Sequence, residues 1–233
     1  LSEDLALNRR VKAQKQDGLY TVSYHPVGGR LTAEKPAELF QAIQNLEAVE
    51  LRLSPDGTIY IINLTADEVP AVLNVTSDGA QNLFETSVCC IASPICQHGL
   101  RNSYQLLTAC VERLRKEQFA DGVLPQMHIS GCHPAAEHIK PVRSVCRTLQ
   151  KVNGKMESAF KLFVNGCANA SELRLGTDAA SSLETVIPEF LAALGRKISA
   201  DGSTFAEWYP THPEDLSPWR MNMQTNPSNY FIS

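Results

Sequence analysis

The chain has 233 residues, 43% of them apolar, and a formal net charge of −4. That is enough apolar material for one large or two small packed domains and too much for wholesale disorder. Acidic and basic residues are mixed along the chain, which argues against the basic stripe of a nucleic-acid surface. No apolar run approaches the ~20 residues that a membrane-crossing helix needs.

The opening residues, LSEDLALNRR, are charged rather than signal-like, and a start without Met reads as a fragment or trimmed product. Seven cysteines are present, Cys89, Cys90, Cys96, Cys110, Cys132, Cys146 and Cys167. An odd count with no sign of secretion points to reduced thiols or metal ligands rather than a disulfide framework, and so to a cytoplasmic location.

In chain order, residues 1–17 are polar and basic (Arg9, Arg10, Lys12, Lys15) and read as an extended arm. Leu19–His25 alternates and predicts a strand. Gly28-Gly29 turns the chain, Thr32 is placed to cap the next helix, and Pro36 limits how early that helix is regular. Leu39, Phe40, Ile43 and Leu46 give it an apolar stripe. Val49–Leu53 predicts a strand, Pro55-Asp56-Gly57 a turn and Thr58–Leu64 another strand. Thr65, with Glu68 in the capping-box position, opens a short helix. The order β-α-β-β-α fits most of a ferredoxin-like α+β unit.

From about residue 80 the character changes. Cys89–Cys96 is a tight loop of small residues. Leu100–Phe119 predicts a helix with Leu106, Leu107, Cys110, Val111 and Leu114 inward. Gln126–Ser130 and Phe160–Val164 predict strands. Ser182–Ile198 predicts a helix capped by Ser181 or Ser182, with Pro188 in its second turn limiting its regular part. Residues 203–209 add a short helix, and the tail from Pro210 is irregular. The expected organisation is an arm (1–17), a ferredoxin-like half-domain (18–79), an α/β cluster-binding domain (80–209) and a tail (210–233).

The chemistry gathers in the cysteines. Five residues separate Cys90 from Cys96, and Cys132 follows after 35 more, behind Gly131. A [4Fe–4S] cluster needs a thiolate or a substitute on each iron. Two thiolates in a tight loop of small residues can converge on one face, and Gly131 permits a close backbone approach from a second loop. The alternative, small buried thiols, stands level with this on spacing alone.

The runs TSVCCIASPICQHGLRNS, QMHISGC and NGKMESAFKLFV, with AQKQDGLYTVSYHPVGGRLTAEK near the start and TFAEW near the end, resemble the nitrite/sulfite reductase family over roughly residues 8–209. In that family a ferredoxin-like unit precedes a cluster-binding unit, the pair occurs twice, and siroheme lies between the halves. This chain resembles the C-terminal half. The resemblance implies an iron–sulfur oxidoreductase reducing sulfite to sulfide or nitrite to ammonia, with a [4Fe–4S] cluster and siroheme. The implied partners are an N-terminal half (same protein or second chain), an electron donor protein or flavin subunit, and a small oxyanion substrate. Nucleic acid and membrane are not expected.

By the same resemblance, Cys90, Cys96 and Cys132 are three of the family's four cluster cysteines. Ala136 occupies the fourth place, whose thiolate also links cluster to siroheme iron. The following EHIKPVRSVCRTLQ departs from the family as well. Candidate substitute ligands are His133, His138, Cys89 and Cys146. Other outcomes are a three-cysteine or [3Fe–4S] cluster, an empty site in a protein kept for binding or scaffolding, or a Zn²⁺ site of three thiolates and His133. Arg9, Arg10, Lys12 and Lys15 are the basic residues available for siroheme carboxylates or anion. Among the rest, Cys89 reads as a packed thiol, Cys110 as core, Cys167 as an exposed turn residue, His128 as structural, His25 and His98 as surface, and Trp208 and Trp219 as packing.

Overall fold

The structure, a computed structural model, describes residues 2–91, 93, 95–97, 99, 101–131, 144–152, 155–164, 167–168, 173–174, 177–213 and 216. The chain divides into two units, Leu1–Val88 and Cys89–Ser233.

The first unit runs α1 (Glu3–Ala6), β1 (Val11–Ala13), β2 (Tyr20–Tyr24), α2 (Lys35–Ile43), β3 (Glu50–Leu53), β4 (Ile59–Leu64) and α3 (Val69–Val75). Its strands form one antiparallel sheet in the order β1-β2-β4-β3. The region read as an extended arm therefore holds a helix and an edge strand. Gly18, at φ +76°, turns the chain so that Gln14 N–H donates to Leu19 O at 2.9 Å and Val11 pairs with Val22. Three residues with one buried member are too short to declare themselves by periodicity.

On β2 and β4 the alternation sends Val22, Tyr24, Ile59, Ile61 and Leu64 inward, against Leu39 of α2 and Val69 and Val72 of α3. Full burial of each such aliphatic contributes about 1.5–3 kcal/mol. Phe40, expected on the apolar stripe, is 63% exposed, because it lies one residue around the helix from Leu39. Both helices begin later than expected, with Pro in the first turn and no side-chain cap. Glu68 still accepts Thr65 N–H at 2.8 Å, but as an N-terminal brace before the helix. Between β2 and β4 the register passes from Tyr20↔Leu64 to Val22↔Ile61, so β4 carries one extra residue. Asn63 there has φ +63°, and its side chain donates to Ala48 O at 3.0 Å.

The second unit contains β5 (Val88–Cys89), which straddles the division, α4 (Ser103–Arg115), β6 (His128–Ser130), β7 (Ser144–Val152), β8 (Lys155–Val164), β9 (Cys167–Ala168), β10 (Leu173–Arg174), β11 (Thr177–Leu183), α5 (Ile187–Ala200) and α6 (Phe205–Trp208). The larger sheet has the order β11-β8-β7-β6-β5, with β6 and β7 parallel and β7, β8 and β11 antiparallel. β7 was not legible in the sequence, because pairing with a neighbour rather than local propensity selects such a strand. The predicted helix from Ser182 begins instead at Ile187. Residues up to Leu183 complete β11, and Pro188 sits in the first helical turn, where its missing N–H costs nothing.

α4 and α5 pack through Leu106, Leu107, Val111, Leu114, Phe190, Leu191, Leu194 and Ile198, all buried. Charges clamp them at the rim. Arg113 makes two bonds to the Glu189 carboxylate, at 2.6 and 3.0 Å, while Glu117 accepts from Arg113 at 2.8 Å and Arg196 at 2.7 Å. α6 is opened by a capping box between Thr204 and Glu207, and Trp208 is buried, as its packing role requires. Among the described residues, no helix is long and apolar enough to cross a membrane.

Candidate iron–sulfur site

The Cys90–Cys96 loop is fastened to its surroundings at several points. Cys90 N–H donates to Ile129 O of β6 at 2.9 Å, which fixes the loop's start beside that strand. Asn102 caps α4, its side chain accepting Gln105 N–H at 3.1 Å. The next residue, Ser103, is fully buried and donates its hydroxyl to Cys90 O at 2.8 Å. Farther along, Ser93 N–H donates to Arg101 O at 3.3 Å and Gly99 N–H to Cys96 O at 3.0 Å.

These contacts hold the Cys90 sulfur in a polar setting. Sγ accepts the backbone N–H of Gly131 at 3.1 Å and lies 3.4 Å from Ser103 Oγ. It therefore sits beside the first turn of α4, the end of the helix that carries partial positive charge. Gly131 immediately precedes Cys132 in the sequence. Cys90 and Cys96 are both half-buried.

The other candidates fall as follows. Cys110 is core, as expected, and burial pushes its thiol up to about 12, so it carries no thiolate at neutral pH. Cys89 ends β5. Cys146 lies on β7, in register with Ser130 and Lys161. Cys167 lies on β9, in register with Arg174. Cys132, His133, Ala136, His138, His98 and Trp219 lie outside the described residues. Among the described residues, no three His, Cys, Asp or Glu side chains gather as a metal-ligand group. His128 is half-buried on β6, and burial lowers its pKa.

Of the basic residues in the first unit, Arg10 is buried. Its guanidinium donates to Ser23 O at 3.1 Å and to Thr76 Oγ1, and it feels the Asp78 charge, so it is occupied within its own unit. Arg9, Lys12 and Lys15 are exposed. His25, expected at the surface, is buried at 4% exposure, with Nδ1 3.0 Å from Thr58 Oγ1.

Comparison with known proteins then separates family from fold. Residues 12–76 match the nitrite/sulfite reductase ferredoxin-like half domain. That stretch is a nitrite/sulfite reductase ferredoxin-like half domain. Among solved structures, the Mycobacterium tuberculosis NirA protein shares the fold with a TM-score of 0.68 at 15% identity, over 89% of this chain and 40% of that one. Dissimilatory sulfite reductase I matches with a TM-score of 0.58 at 9% identity, over 92% of this chain and 74% of that one. The chain thus spans 40% of the length of the NirA chain. No protein of curated function matches it by sequence. The resemblance drawn from the motifs and the α+β class with a ferredoxin-like half-domain are both borne out.

The described part of the site fits a cluster sulfur. A ligating thiolate is stabilised and tuned by N–H···S bonds, and Cys90 already receives one. A set of four thiolates at the family's positions does not fit, because Ala136 has no donor atom.

Proposed function

We propose that the chain is the C-terminal half of a nitrite/sulfite reductase-like oxidoreductase that binds an iron–sulfur cluster through Cys90, Cys96 and Cys132, next to siroheme. The carrying observation is the N–H···S bond at 3.1 Å to Cys90 from Gly131, the residue that precedes Cys132 in the sequence. When bound, the cluster and siroheme would relay the donor's electrons to sulfite or nitrite. The chain's own residues fasten the loop. Ser103 holds the Cys90 carbonyl, Asn102 caps the helix beneath it, and Gly131 aims a dipole at the sulfur. Ala136 leaves the fourth iron to His133, His138, Cys89, Cys146 or an exogenous ligand. Electrons come from an external donor protein or flavin subunit, an N-terminal half or second chain completes the siroheme pocket, and the cytoplasm is the compartment that keeps the thiols reduced.

Ala136 also favours a second reading, a relative that keeps the fold for binding or scaffolding, since fold outlives chemistry. Anaerobic reconstitution followed by iron analysis, absorption and EPR spectroscopy separates the two. Stoichiometric iron with a cluster signal supports the redox reading. Iron-free, colourless protein after reconstitution sinks it.

A further inference from the structure

The core face of the first sheet continues onto an exposed edge. β3 ends the strand order β1-β2-β4-β3, and all four of its residues are exposed. Leu51 stands opposite Ile61 and Leu53 opposite Ile59, and residues directly opposite in an antiparallel pair share a face. Ile59 and Ile61 belong to the core. That apolar layer therefore runs on into Leu51 and Leu53, which are 44% and 79% exposed. Glu50 and Arg52 lie on the other face, beside Ile62 and Tyr60, and are ion-paired with each other.

The backbone of β3 is set for pairing on its outer side. Ser54 N–H donates to Thr58 O at 2.9 Å. Residues of an antiparallel strand alternate in the side to which their backbone groups turn. Arg52 and Glu50 therefore turn theirs to β4, and Leu51 and Leu53 turn theirs away. Such an edge is a template for another strand. The charges decide which strand fits. If β3 meets β3 of a second copy antiparallel about Leu51, Glu50 of each protomer faces Arg52 of the other, and the two Leu51 side chains meet on the apolar face. Centring the pair one residue either way sets Glu50 or Arg52 against its own copy, and like charges directly opposite disfavour both. The edge is thus complementary to itself in one alignment.

We propose that β3 is an interface between two copies of this chain, paired antiparallel about Leu51. Leu51 and Leu53 of each protomer then extend the other's apolar layer, and two Glu50–Arg52 pairs cross the two-fold axis. A four-residue edge is small beside a standard interface of about 1,600 Å², so the dimer is weak and concentration-dependent. The inference rests on the first unit alone and is independent of the cluster reading.

The test uses the full chain as wild type, Glu50→Arg, Arg52→Glu, the double variant and Leu51→Lys, followed by sedimentation velocity over a concentration series and by amide hydrogen exchange. Wild type should dimerise, and the Leu51 and Leu53 amides should gain protection as concentration rises. Each single charge variant sets like charges opposite each other and should weaken association by about tenfold or more. The double variant, and an equimolar mixture of the two single charge variants, restore opposite charges and should regain it. Leu51→Lys, which sets two cations together at the axis, should abolish it. All these side chains are exposed, so circular dichroism should show an unchanged fold. Wild type that stays monomeric at every attainable concentration overturns the proposal. So does a dimer indifferent to these substitutions, or one that neither the double variant nor the mixture restores. Protection of Leu51 and Leu53 that does not depend on concentration overturns it in favour of cover from the same chain. Protection that appears only on adding another protein overturns it in favour of a different partner.

Discussion

Gly131 presents its backbone N–H to Cys90 Sγ at 3.1 Å, across 41 positions of sequence. The bond uses the sulfur as acceptor and holds Gly131, the residue before Cys132, against it. A thiol at Cys90 is therefore expected to be the most sensitive ligand position. Cys90→Ala should abolish iron uptake on reconstitution, whereas Cys110→Ala should retain it, because Cys110 is core. Iron and sulfide analysis of the two variants checks this.

Ser103 closes the same loop through the Cys90 carbonyl at 2.8 Å. Ser103→Ala leaves that carbonyl without its bond and should cost about 0.5–1.5 kcal/mol. Urea unfolding of the metal-free chain measures it. Iron content should fall less than in Cys90→Ala.

Arg10 was expected to serve an anion, but its guanidinium is used inside the first unit. Arg10→Met removes the donor to Ser23 O and Thr76 Oγ1 and the cation facing Asp78. The loss should be about 2–3 kcal/mol, as for a charged hydrogen-bonding group. Lys12→Met, at an exposed position, should change stability by no more than about 0.5 kcal/mol. Paired denaturation curves distinguish the two.

His25 gives the first unit a pH dependence. Burial lowers its pKa below the ordinary 6.5, with Asp56 pulling the other way. Burial also works against the Asp56 carboxylate, but bonds from the backbone and hydroxyl of Thr58 and from Ser54 outweigh it and hold its pKa down. A histidine kept neutral in the fold contributes stability that is complete above 6.5 and lost as the pH falls through its folded value. Denaturation midpoints should therefore drop on acidification below about pH 6.5, and His25→Gln should flatten part of that slope. His128, lowered in the same way, accounts for some of the remainder.

Gly195 tests the packing of α5. A Cβ there would meet the Phe119 ring at 2.3 Å. Alanine ordinarily favours a helix by about 1 kcal/mol over glycine. Here the clash should reverse the sign and destabilise by about 1–3 kcal/mol. A thermal melt showing stabilisation would contradict the close approach.

Much of this was readable before any coordinates. Strong alternation in Leu19–His25 and Thr58–Leu64 and the spaced apolar face of the helix around Leu106–Leu114 carried their own signal. So did the cysteine spacing and the motifs that led to the family. What escaped depended on partners distant in sequence. β1 exists because Gly18 folds it onto β2. β7 exists because β8 pairs with it. His25 is buried because Thr58, 33 residues on, receives it. Ser103 drew no notice because a lone serine at a helix start looks solvated until its surroundings are seen. A Ser three residues before the apolar run was the one available hint.

The extra residue in β4 has a further consequence. A strand's side chains alternate, so sliding β4 by one position against β2 would turn Ile59, Ile61 and Leu64 outward. The insertion at Asn63, held in a left-handed turn and tied to Ala48, makes the two ends of β4 obey different phases. No uniform slide satisfies both. The β2–β4 pair thus works as a keyed joint that closes in one alignment, and a chain emerging half-folded has one fewer wrong answer to escape.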